Sequence, residues 1–241
     1  MTDREINIIL KRYAHAQTFG GHLWLSAHVA LQRWIWACLL RGPEIFKRSA
    51  DIVLSLLALV ALTPLFALIY ILIKMEDQGP IFFIQKRVGQ FGREFKLYKF
   101  RSMCIDAEQR LKDLLAQNQH KEGITFKLKD DPRITDVGKW LRKFSIDEFP
   151  QFFNVLVGDM SLVGPRPPVP REVALYTPAD RRRLAVKPGL TCLWQISGRS
   201  EIDFSGQVQL DVNYIESQNL WVDVKILAQT VPAVLSGKGA C

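Results

Sequence analysis

A long uncharged stretch, residues 52–73 (IVLSLLALVALTPLFALIYILI), limits the folds open to this chain more than any other feature. A bilayer core of about 30 Å is crossed by about 20 apolar residues in a helix. We therefore predict a membrane segment rather than a buried core helix. Thr63-Pro64 lies near the middle of the stretch, and proline interrupts the hydrogen-bond ladder of a helix. At about 1.5 Å per residue, neither half is long enough to cross alone.

Basic residues flank this stretch on both sides. They are Arg33, Arg41, Lys47 and Arg48 before it, and Lys74, Lys86, Arg87 and Arg93 after it. A spanning helix usually carries its positive charge mainly on one side. A re-entrant hairpin, which enters and leaves on the cytoplasmic face, accounts for both the symmetric charge and the break. Thr63 and Pro64 form the predicted membrane kink, and the threonine hydroxyl can bond a freed carbonyl there.

Residues 22–40 (HLWLSAHVALQRWIWACLL) are apolar but carry histidine, glutamine and arginine. Trp24, Trp34 and Trp36 favour the boundary between water and lipid. We interpret this stretch as a helix lying in the interface, with a weak spanning helix and an ordinary core helix as the alternatives. The polar first 20 residues lack the apolar h-region of a cleavable signal peptide, and we expect none.

The composition favours an anionic partner. The 241 residues include 32 Lys+Arg and 24 Asp+Glu, which gives a formal net charge of +8. This charge suits nucleic acid, anionic lipid or a phosphorylated substrate. Because the sequence carries a membrane segment and no recognised nucleic-acid motif, we expect no nucleic-acid partner. The four cysteines lie far apart without a C-x-x-C pair, which indicates reduced thiols and no zinc site.

After the membrane segment the chain has the character of a soluble domain. Residues 81–87 and 94–102 read as two strands joined by the turn 88–93, which contains two glycines. This ribbon is strongly basic through Lys86, Arg87, Lys96, Lys99 and Arg101. We expect Lys96 to lie on a solvated face of its strand.

Several helices are expected beyond this ribbon. Residues 105–119 have an amphipathic pattern, in which Asp106 and Glu108 read as first-turn acids rather than as a catalytic pair. Thr135 can cap a helix that runs through Lys143. The further stretches are 171–185, whose arginines predict a solvated or lipid-facing surface, and 207–217 and 220–236, which read as closing helices.

The adjacent carboxylates Asp147 and Glu148 open a short helix that Gly158 can end. The plainest interpretation is capping, since Ser145 and Glu148 have the spacing of a capping box. Pro150 argues for a slightly later start, with Ile146 or Asp147 as the N-cap. In either register the positive end of the helix keeps both carboxylates ionised, which also suits a nucleophile or a metal ligand.

Two proline- and glycine-rich segments follow. Gly164-Pro165-Arg166-Pro167 forms a rigid turn that presents one guanidinium. The loop 188–199 carries hydrogen-bonding and aromatic groups, a composition suited to holding a nucleobase, although it could equally be a structural turn.

In combination, these stretches resemble the bacterial sugar transferases, the monotopic polyprenyl-phosphate phosphoglycosyl transferases, over about residues 45–238. The resemblance rests on several motifs in the family's order. They are the break at Thr63-Pro64, Lys99-Phe100-Arg101-Ser102-Met103, Ser145 to Gln151, Asn154, Gly158-Asp159-Met160-Ser161, Gly164-Pro165-Arg166-Pro167, Lys187 to Thr191, and Gln195 with Gly198-Arg199. Two positions depart from the family's usual pattern: threonine precedes the membrane proline instead of serine, and Cys192 stands where glycine is usual.

The resemblance implies an enzyme that moves a sugar 1-phosphate from a UDP-sugar to undecaprenyl phosphate and releases UMP. It implies Asp147 as the nucleophile and Glu148 as a residue that helps Asp147 hold Mg2+. Arg166 would recognise phosphate, with Lys99, Arg101 and Arg142 as further phosphate contacts. By resemblance only, uridine is assigned to Pro188, Gly189, Thr191, Gln195, Gly198 and Arg199.

These inferences add up to an α+β, mainly helical fold with a short β-ribbon. The predicted divisions are an N-terminal tail and interfacial helix (1–44), a re-entrant membrane helix (45–75) and a cytosolic catalytic domain (76–241). We expect the protein at the cytoplasmic face of a bacterial inner membrane, in contact with lipid, and a homodimer is an open alternative to a monomer. The transferred sugar is expected to be galactose or glucose, for an exopolysaccharide. The competing hypothesis is a membrane-anchored scaffold that binds anionic lipid without catalysis.

Overall fold

A computed structural model describes residues 18–76, 78–107, 109–110, 131–198 and 202–236 of the chain. Two compact units are present, residues 1–47 and residues 48–241. The helices of the described residues are α1 (Phe19–Ala61), α2 (Thr63–Glu76), α3 (Asp136–Lys143), α4 (Gln151–Val157), α5 (Pro170–Val173), α6 (Leu193–Ser197), α7 (Phe204–Ser217) and α8 (Leu220–Ser236). The strands are β1 (Phe82–Val88), β2 (Glu94–Phe100), β3 (Ser161–Val163) and β4 (Gly189–Thr191). This confirms the mainly helical α+β class. Most of the predicted helix 105–119, including Glu108, lies outside the described residues.

In the first unit, the described residues belong almost entirely to α1. Trp24, Trp34 and Trp36 each expose more than half of their surface. The Trp24 ring stacks on that of His28, with ring centres 5.2 Å apart. Exposed tryptophans fit the interfacial interpretation of residues 22–40, which stays a prediction.

The apolar stretch 52–73 is broken at the predicted place. Helix α1 ends at Ala61, α2 begins at Thr63, and the segments 42–61 and 63–76 meet at a bend of 56°. Thr63 Oγ1 donates to the carbonyl of Leu59 at 3.0 Å, so the hydroxyl bonds a backbone carbonyl as predicted. Within the described residues no single helix is long and apolar enough to cross a membrane, whereas this bent pair meets the length and composition criteria together.

The part of α1 that belongs to the second unit, residues 48–61, is held to the core of that unit by charged side chains. The Arg48 guanidinium donates to the carbonyls of Val155 and Leu156 at 2.6 and 2.7 Å. These carbonyls belong to the last turn of α4, where backbone acceptors are not fully used by the helix. Asp51 is buried and accepts from the backbone N–H of Leu162, in β3, at 3.0 Å. The broken helix is therefore held in register with the segment that runs from α4 to β3.

Strands β1 and β2 form the predicted antiparallel ribbon, with Phe82 opposite Phe100 and Val88 opposite Glu94. A single 3-10 turn, Gln90–Gly92, joins them. Lys96 is exposed, as predicted. The buried Asn154 side chain donates to the carbonyl of Lys96 at 2.7 Å and accepts from the N–H of Tyr98 at 3.1 Å. Helix α4 is thereby attached to the edge of β2.

A second, parallel pair was not predicted. Strands β3 and β4 pair Ser161 with Gly189 and Val163 with Thr191. They lie in the main apolar core, whose buried members are Phe95, Leu97, Val155, Met160, Leu162, Val163, Tyr214 and Ile226. The closing helices α7 and α8 cover this core as predicted, and the Tyr214 hydroxyl bonds Asp223 at 2.7 Å.

Local signals at two helix ends are confirmed. The Thr135 side chain accepts from the N–H of Gly138 at 3.0 Å and caps α3. Gly158 follows α4 with φ of 98°, a left-handed conformation that glycine adopts without a Cβ clash.

The prediction of a charged surface for residues 171–185 is wrong at Arg183. This stretch forms α5 and a 3-10 turn, Asp180–Leu184, and the turn buries the Arg183 guanidinium. Arg183 forms an ion pair with the buried Asp211 of α7 and donates to the Tyr176 hydroxyl at 3.1 Å. Arg182, one residue earlier, is exposed and pairs with Glu216 at 2.6 Å. Sequence composition could not show which of the two arginines is buried, because this depends on the short 3-10 turn that directs Arg183 inward.

Candidate active site

The carboxylates Asp147 and Glu148 lie in a separate 3-10 turn, Ile146–Glu148, and not in the first turn of α4. Ser145 precedes this turn with φ of 54° and makes no capping hydrogen bond. Helix α4 follows Pro150, which has no capping side chain. The predicted capping box is therefore wrong, and so is an N-cap at Ile146 or Asp147. Pro150 delays the helix, so the two carboxylates are not used as caps.

An apolar cluster fixes the orientation of this turn. Ile146 is buried against Ile69 and Ile73 of α2, together with Phe100 and Leu141. With Ile146 turned inward, its two neighbours Asp147 and Glu148 face the end of β2. The second half of the broken apolar helix thus shares one apolar cluster with the residue that precedes the carboxylates.

Lys99, near the end of β2, is the central cation of the site. Its Nζ lies 2.6 Å from Glu148 Oε1 and 3.9 Å from Asp147 Oδ2. The three side chains expose only 15, 14 and 10% of their surface, respectively. Burial strengthens such pairs because little water screens them. Glu148 is held tightly, while Asp147 has a single, looser ion pair among the described residues.

Arg166 completes the pair's charged surroundings. It follows β3 through Gly164 and Pro165, and its Nη1 lies 3.3 Å from Glu148 Oε1. The guanidinium sits over the Trp194 ring, 5.8 Å from its centre. Backbone bonds from Gly164 N to Thr191 O, at 3.0 Å, and from Gly189 N to Pro165 O, at 2.9 Å, fix the turn. The predicted rigid turn thus presents its guanidinium to Glu148.

The environment shifts the pKa values of Asp147 and Glu148 in opposite directions. Burial raises the pKa of Asp147, and the Lys99 cation only partly offsets this. Burial would also raise the pKa of Glu148, but Lys99 and Arg166 outweigh it and hold that pKa at about 2. Burial lowers the pKa of Lys99 against the attraction of both carboxylates. Glu148 is therefore a fixed anion, whereas Asp147 is the more basic of the two and the less restrained.

Two further predicted phosphate contacts occupy different places. Arg142 donates from Nε to Ser102 Oγ at 2.9 Å, and its charge lowers the pKa of Asp147 after the larger effects of burial and the nearer charges. Burial lowers the pKa of Arg142 itself. The Arg101 side chain is buried against Gly79, so that a Cβ at Gly79 would meet its guanidinium. The structure brings Arg142 near the carboxylates and buries Arg101 beside Gly79.

Two residues of the site were missed from sequence. Arg87 is the last residue but one of β1 and lies beside the turn of Arg166, and Gln151 is the buried first residue of α4. Both line a small cavity next to the carboxylates, together with Leu97, Lys99, Glu148, Arg166, Pro167, Gly189 and Leu190. Arg87 was grouped with the basic ribbon because strand alternation alone does not distinguish a cation facing a cavity from one facing solvent.

The predicted nucleotide loop belongs largely to the framework beside this cavity. The Pro188 carbonyl accepts from Ser161 N at 2.8 Å, and Thr191 Oγ1 lies 2.7 Å from Thr230 Oγ1. Gly189 lines the cavity, and a Cβ there would meet the Gly164 backbone. Gln195 lies in α6 beside Cys192 Sγ, at 3.5 Å. Gly198 follows α6, and Arg199 lies outside the described residues.

Cys192 replaces the family's usual glycine without backbone strain. Its φ of −153° and ψ of 170° are extended, a conformation that any residue adopts. Its side chain is buried, and burial raises the pKa of the thiol.

Asp147 and Glu148 could serve as the two protein ligands of a Mg2+ ion. Within the described ranges, no three His, Cys, Asp or Glu side chains gather in a group that could hold a metal by themselves. Mg2+ usually takes one or two carboxylates and completes its shell with substrate phosphates and water. Asp147 and Glu148 supply this minimal set, so the residues present fit a metal that arrives with a phosphorylated substrate.

Comparison with known proteins gives a consistent family. A family model described as bacterial sugar transferase matches residues 42–237. Galactosyl transferase CpsE of Streptococcus agalactiae is 52% identical over 225 residues, which cover 93% of this chain and 48% of CpsE. Exopolysaccharide production protein ExoY of Sinorhizobium fredii is 43% identical over 199 residues, covering 81% of this chain and 88% of ExoY.

A third relative carries a more specific name. Undecaprenyl-phosphate galactose phosphotransferase of Salmonella typhimurium is 45% identical over 204 residues, covering 83% of this chain and 42% of the relative. The chain thus spans about half the length of CpsE and of the Salmonella protein, and most of the length of ExoY.

Proposed function

This chain belongs to the bacterial sugar transferase family, and we propose that it transfers a sugar 1-phosphate from a UDP-sugar to undecaprenyl phosphate, releasing UMP. The proposed role is the first membrane step in making an exopolysaccharide or related glycan. Galactose is the first candidate sugar because two of the three relatives above are named for it, and glucose is the second.

One observation carries the proposal: a buried carboxylate pair surrounded by more cations than it needs. Asp147 and Glu148 face Lys99, Arg166, Arg142 and the nearby Arg87. The surplus of positive charge suits an anionic substrate such as a diphosphate ester. A purely structural ion pair would be balanced, since unpaired buried charge is costly.

The chemistry proceeds in two displacements at one phosphorus atom. A carboxylate oxygen of Asp147 attacks the sugar-bearing phosphorus of the donor, and the bond from that phosphorus to UMP breaks. The enzyme then carries the sugar phosphate as an aspartyl phosphate. An oxygen of the lipid phosphate attacks the same phosphorus, the bond to Asp147 breaks, and the carboxylate is regenerated. Two steps avoid bringing two bulky anions together at once.

The geometry supports a division of roles between the carboxylates. Asp147 is the nucleophile because its only ion pair among the described residues is long and its pKa is raised. Glu148 is already bound by Lys99 and Arg166 and holds both cations in place. Arg166 and Lys99 lie where they can stabilise phosphate oxygens as charge develops. Mg2+, when bound to Asp147 and Glu148, supplies further neutralisation of the diphosphate charge.

The broken helix supports a proposal for where the lipid substrate binds. Ile69 and Ile73 of α2 belong to the same apolar cluster as Ile146, one residue before the nucleophile. A re-entrant hairpin would therefore hold the carboxylates at the membrane surface, where the head of a polyprenyl phosphate lies. We therefore propose that the enzyme lies at the cytoplasmic face of a bacterial inner membrane.

The test is UMP release from a panel of UDP-sugars, with undecaprenyl phosphate and Mg2+ in detergent. We expect release that depends on the lipid, and the best donor identifies the sugar. A folded, membrane-bound preparation that releases no UMP from any donor would overturn the proposal and favour a lipid-binding scaffold.

A further inference from the structure

Arg87 is a cation of the site that forms no ion pair with Asp147 or Glu148 among the described residues. Its Nη1 donates to the carbonyl of Pro167 at 2.8 Å, directly after Arg166. Its Nε is buried and has no hydrogen-bond partner among the described residues. A buried donor without an acceptor is unfavourable, and this one belongs to a side chain that lines the cavity beside Glu148.

The charges around Arg87 are mostly like charges or already engaged. Burial, and next the Arg166 guanidinium, lower the pKa of Arg87 to about 10. Glu172 and Glu148 oppose this effect, while Arg171 adds to it. Glu148 is bound by Lys99 and Arg166, and Glu172 accepts from the N–H of Val169 at 3.1 Å. Two guanidinium groups held close together are stabilised when an anion lies between them.

We propose that Arg87 is a second phosphate-binding guanidinium, which together with Arg166 holds a phosphoryl group of the substrate in the cavity beside Glu148. This inference rests on the proposed function and extends it to a residue outside the family motifs quoted above. The cavity also contains Lys99 and Gln151, so a phosphate there would have three cations and one amide around it. The hydrogen bond from Arg87 Nη1 to the Pro167 carbonyl holds the Arg87 guanidinium in a fixed position next to Arg166.

The chain offers a matched control in the neighbouring residue. Lys86 lies on the same strand, but its side chain is 73% exposed and pairs with Glu94 on the surface at 3.3 Å. Arg87→Gln and Lys86→Gln remove the same charge from adjacent positions. Arg87→Lys keeps the charge but loses the planar fork that binds two oxygens.

The experiment measures binding by calorimetry without lipid. Inorganic pyrophosphate is used with each variant, and the UDP-sugar is used with each variant in an Asp147→Asn background, so that the first displacement does not occur. We expect Arg87→Gln to weaken binding about tenfold or more, Arg87→Lys to recover part of it, and Lys86→Gln to match the unaltered protein. Melting temperatures show that the variants are folded. Should Arg87→Gln fail to fold, Arg87→Lys is decisive, and binding at least threefold weaker is expected.

Unchanged pyrophosphate and UDP-sugar binding in both Arg87 variants, with an unchanged KM for undecaprenyl phosphate, overturns the inference. A raised KM for the lipid alone supports it and assigns the phosphate to the acceptor. A raised KM for the UDP-sugar supports it and assigns the phosphate to the donor. A different result would overturn the proposed function: the unaltered protein would bind pyrophosphate but release no UMP in a lipid-dependent way.

Discussion

At the scale of single residues, the site depends on Ser145, which turns the chain just before the carboxylates. With φ of 54° and ψ of 23°, Ser145 is left-handed, which costs an L-residue about 1–2 kcal/mol. This conformation lets Ile146 enter the apolar cluster while Asp147 and Glu148 face Lys99. Strain of this kind persists only where the surrounding packing enforces it.

Substitution of Ser145 tests this backbone conformation. Ser145→Gly should unfold at the same or a higher temperature, because glycine adopts positive φ without penalty. Ser145→Val should lose about 1 kcal/mol or more, since a β-branched residue is disfavoured there. Thermal unfolding measures both. Equal melting temperatures for the two variants would contradict a left-handed Ser145.

Lys99 should set the acidic limit of activity. Asp147 must be ionised to attack, burial raises its pKa, and Lys99 lowers it. Removing the cation in Lys99→Met therefore raises the pKa of Asp147. The acidic limb of the kcat/KM profile should move to higher pH, and turnover should fall about tenfold or more. The pH profile of UMP release measures this shift. Lys96→Met, on the exposed face of the same strand, is the control, and an unmoved limb in Lys99→Met would count against the assignment of Asp147.

At the scale of elements, buried charge connects the 3-10 turn Asp180–Leu184 to helix α7. The Arg183 side chain exposes 4% of its surface and that of Asp211 exposes 1%. The ring centres of Tyr176 and Phe204 each lie 5.8 Å from the guanidinium carbon. Removing one partner of such a pair leaves a buried charge without compensation. The exposed Arg182–Glu216 pair beside it is screened by water.

These neighbouring arginines give a matched comparison of stability. We expect Arg183→Met to lower the free energy of unfolding by about 3–5 kcal/mol and Arg182→Met to lower it by less than about 1 kcal/mol. Denaturant unfolding of the detergent-solubilised protein measures both. Similar losses in the two variants would show that Arg183 is not buried in solution.

At the scale of the whole molecule, the proposed function requires the broken helix to form a re-entrant hairpin in the membrane. Ile45 and Met75 flank the apolar stretch, and both are exposed, by 63 and 78%. In a variant without the native cysteines, Ile45→Cys and Met75→Cys should both react with a membrane-impermeant maleimide from the cytoplasmic side. Reaction from opposite sides would indicate a spanning helix and contradict the re-entrant hairpin.

Adding Thr63→Val and Pro64→Ala should straighten the bend and move position 75 away from the cytoplasmic side.

Local chemistry made part of this fold predictable from sequence. The Thr63-Pro64 break, the cap at Thr135 and the stop at Gly158 each depend on a few adjacent residues. The grouping of Asp147, Glu148, Lys99 and Arg166 was expected from resemblance, and the structure brings these side chains together.

What sequence could not provide depends on distant packing. Strands β3 and β4 have three residues each, too few for an alternating pattern to be recognised. Arg183 and Arg87 look like ordinary surface cations until the turn and the ribbon direct them inward. The capping box at Ser145 failed because Pro150 begins the helix later than the spacing indicates.

The most direct test of the central claim is isotope exchange without the lipid acceptor. If Asp147 forms a covalent intermediate, labelled UMP should enter the UDP-sugar pool when only enzyme, donor and Mg2+ are present, because the first displacement is reversible on its own. The account predicts this exchange in the unaltered protein and its loss in Asp147→Asn. Lipid-dependent turnover without any exchange would instead show direct transfer between donor and lipid, and would contradict the role of Asp147 as nucleophile.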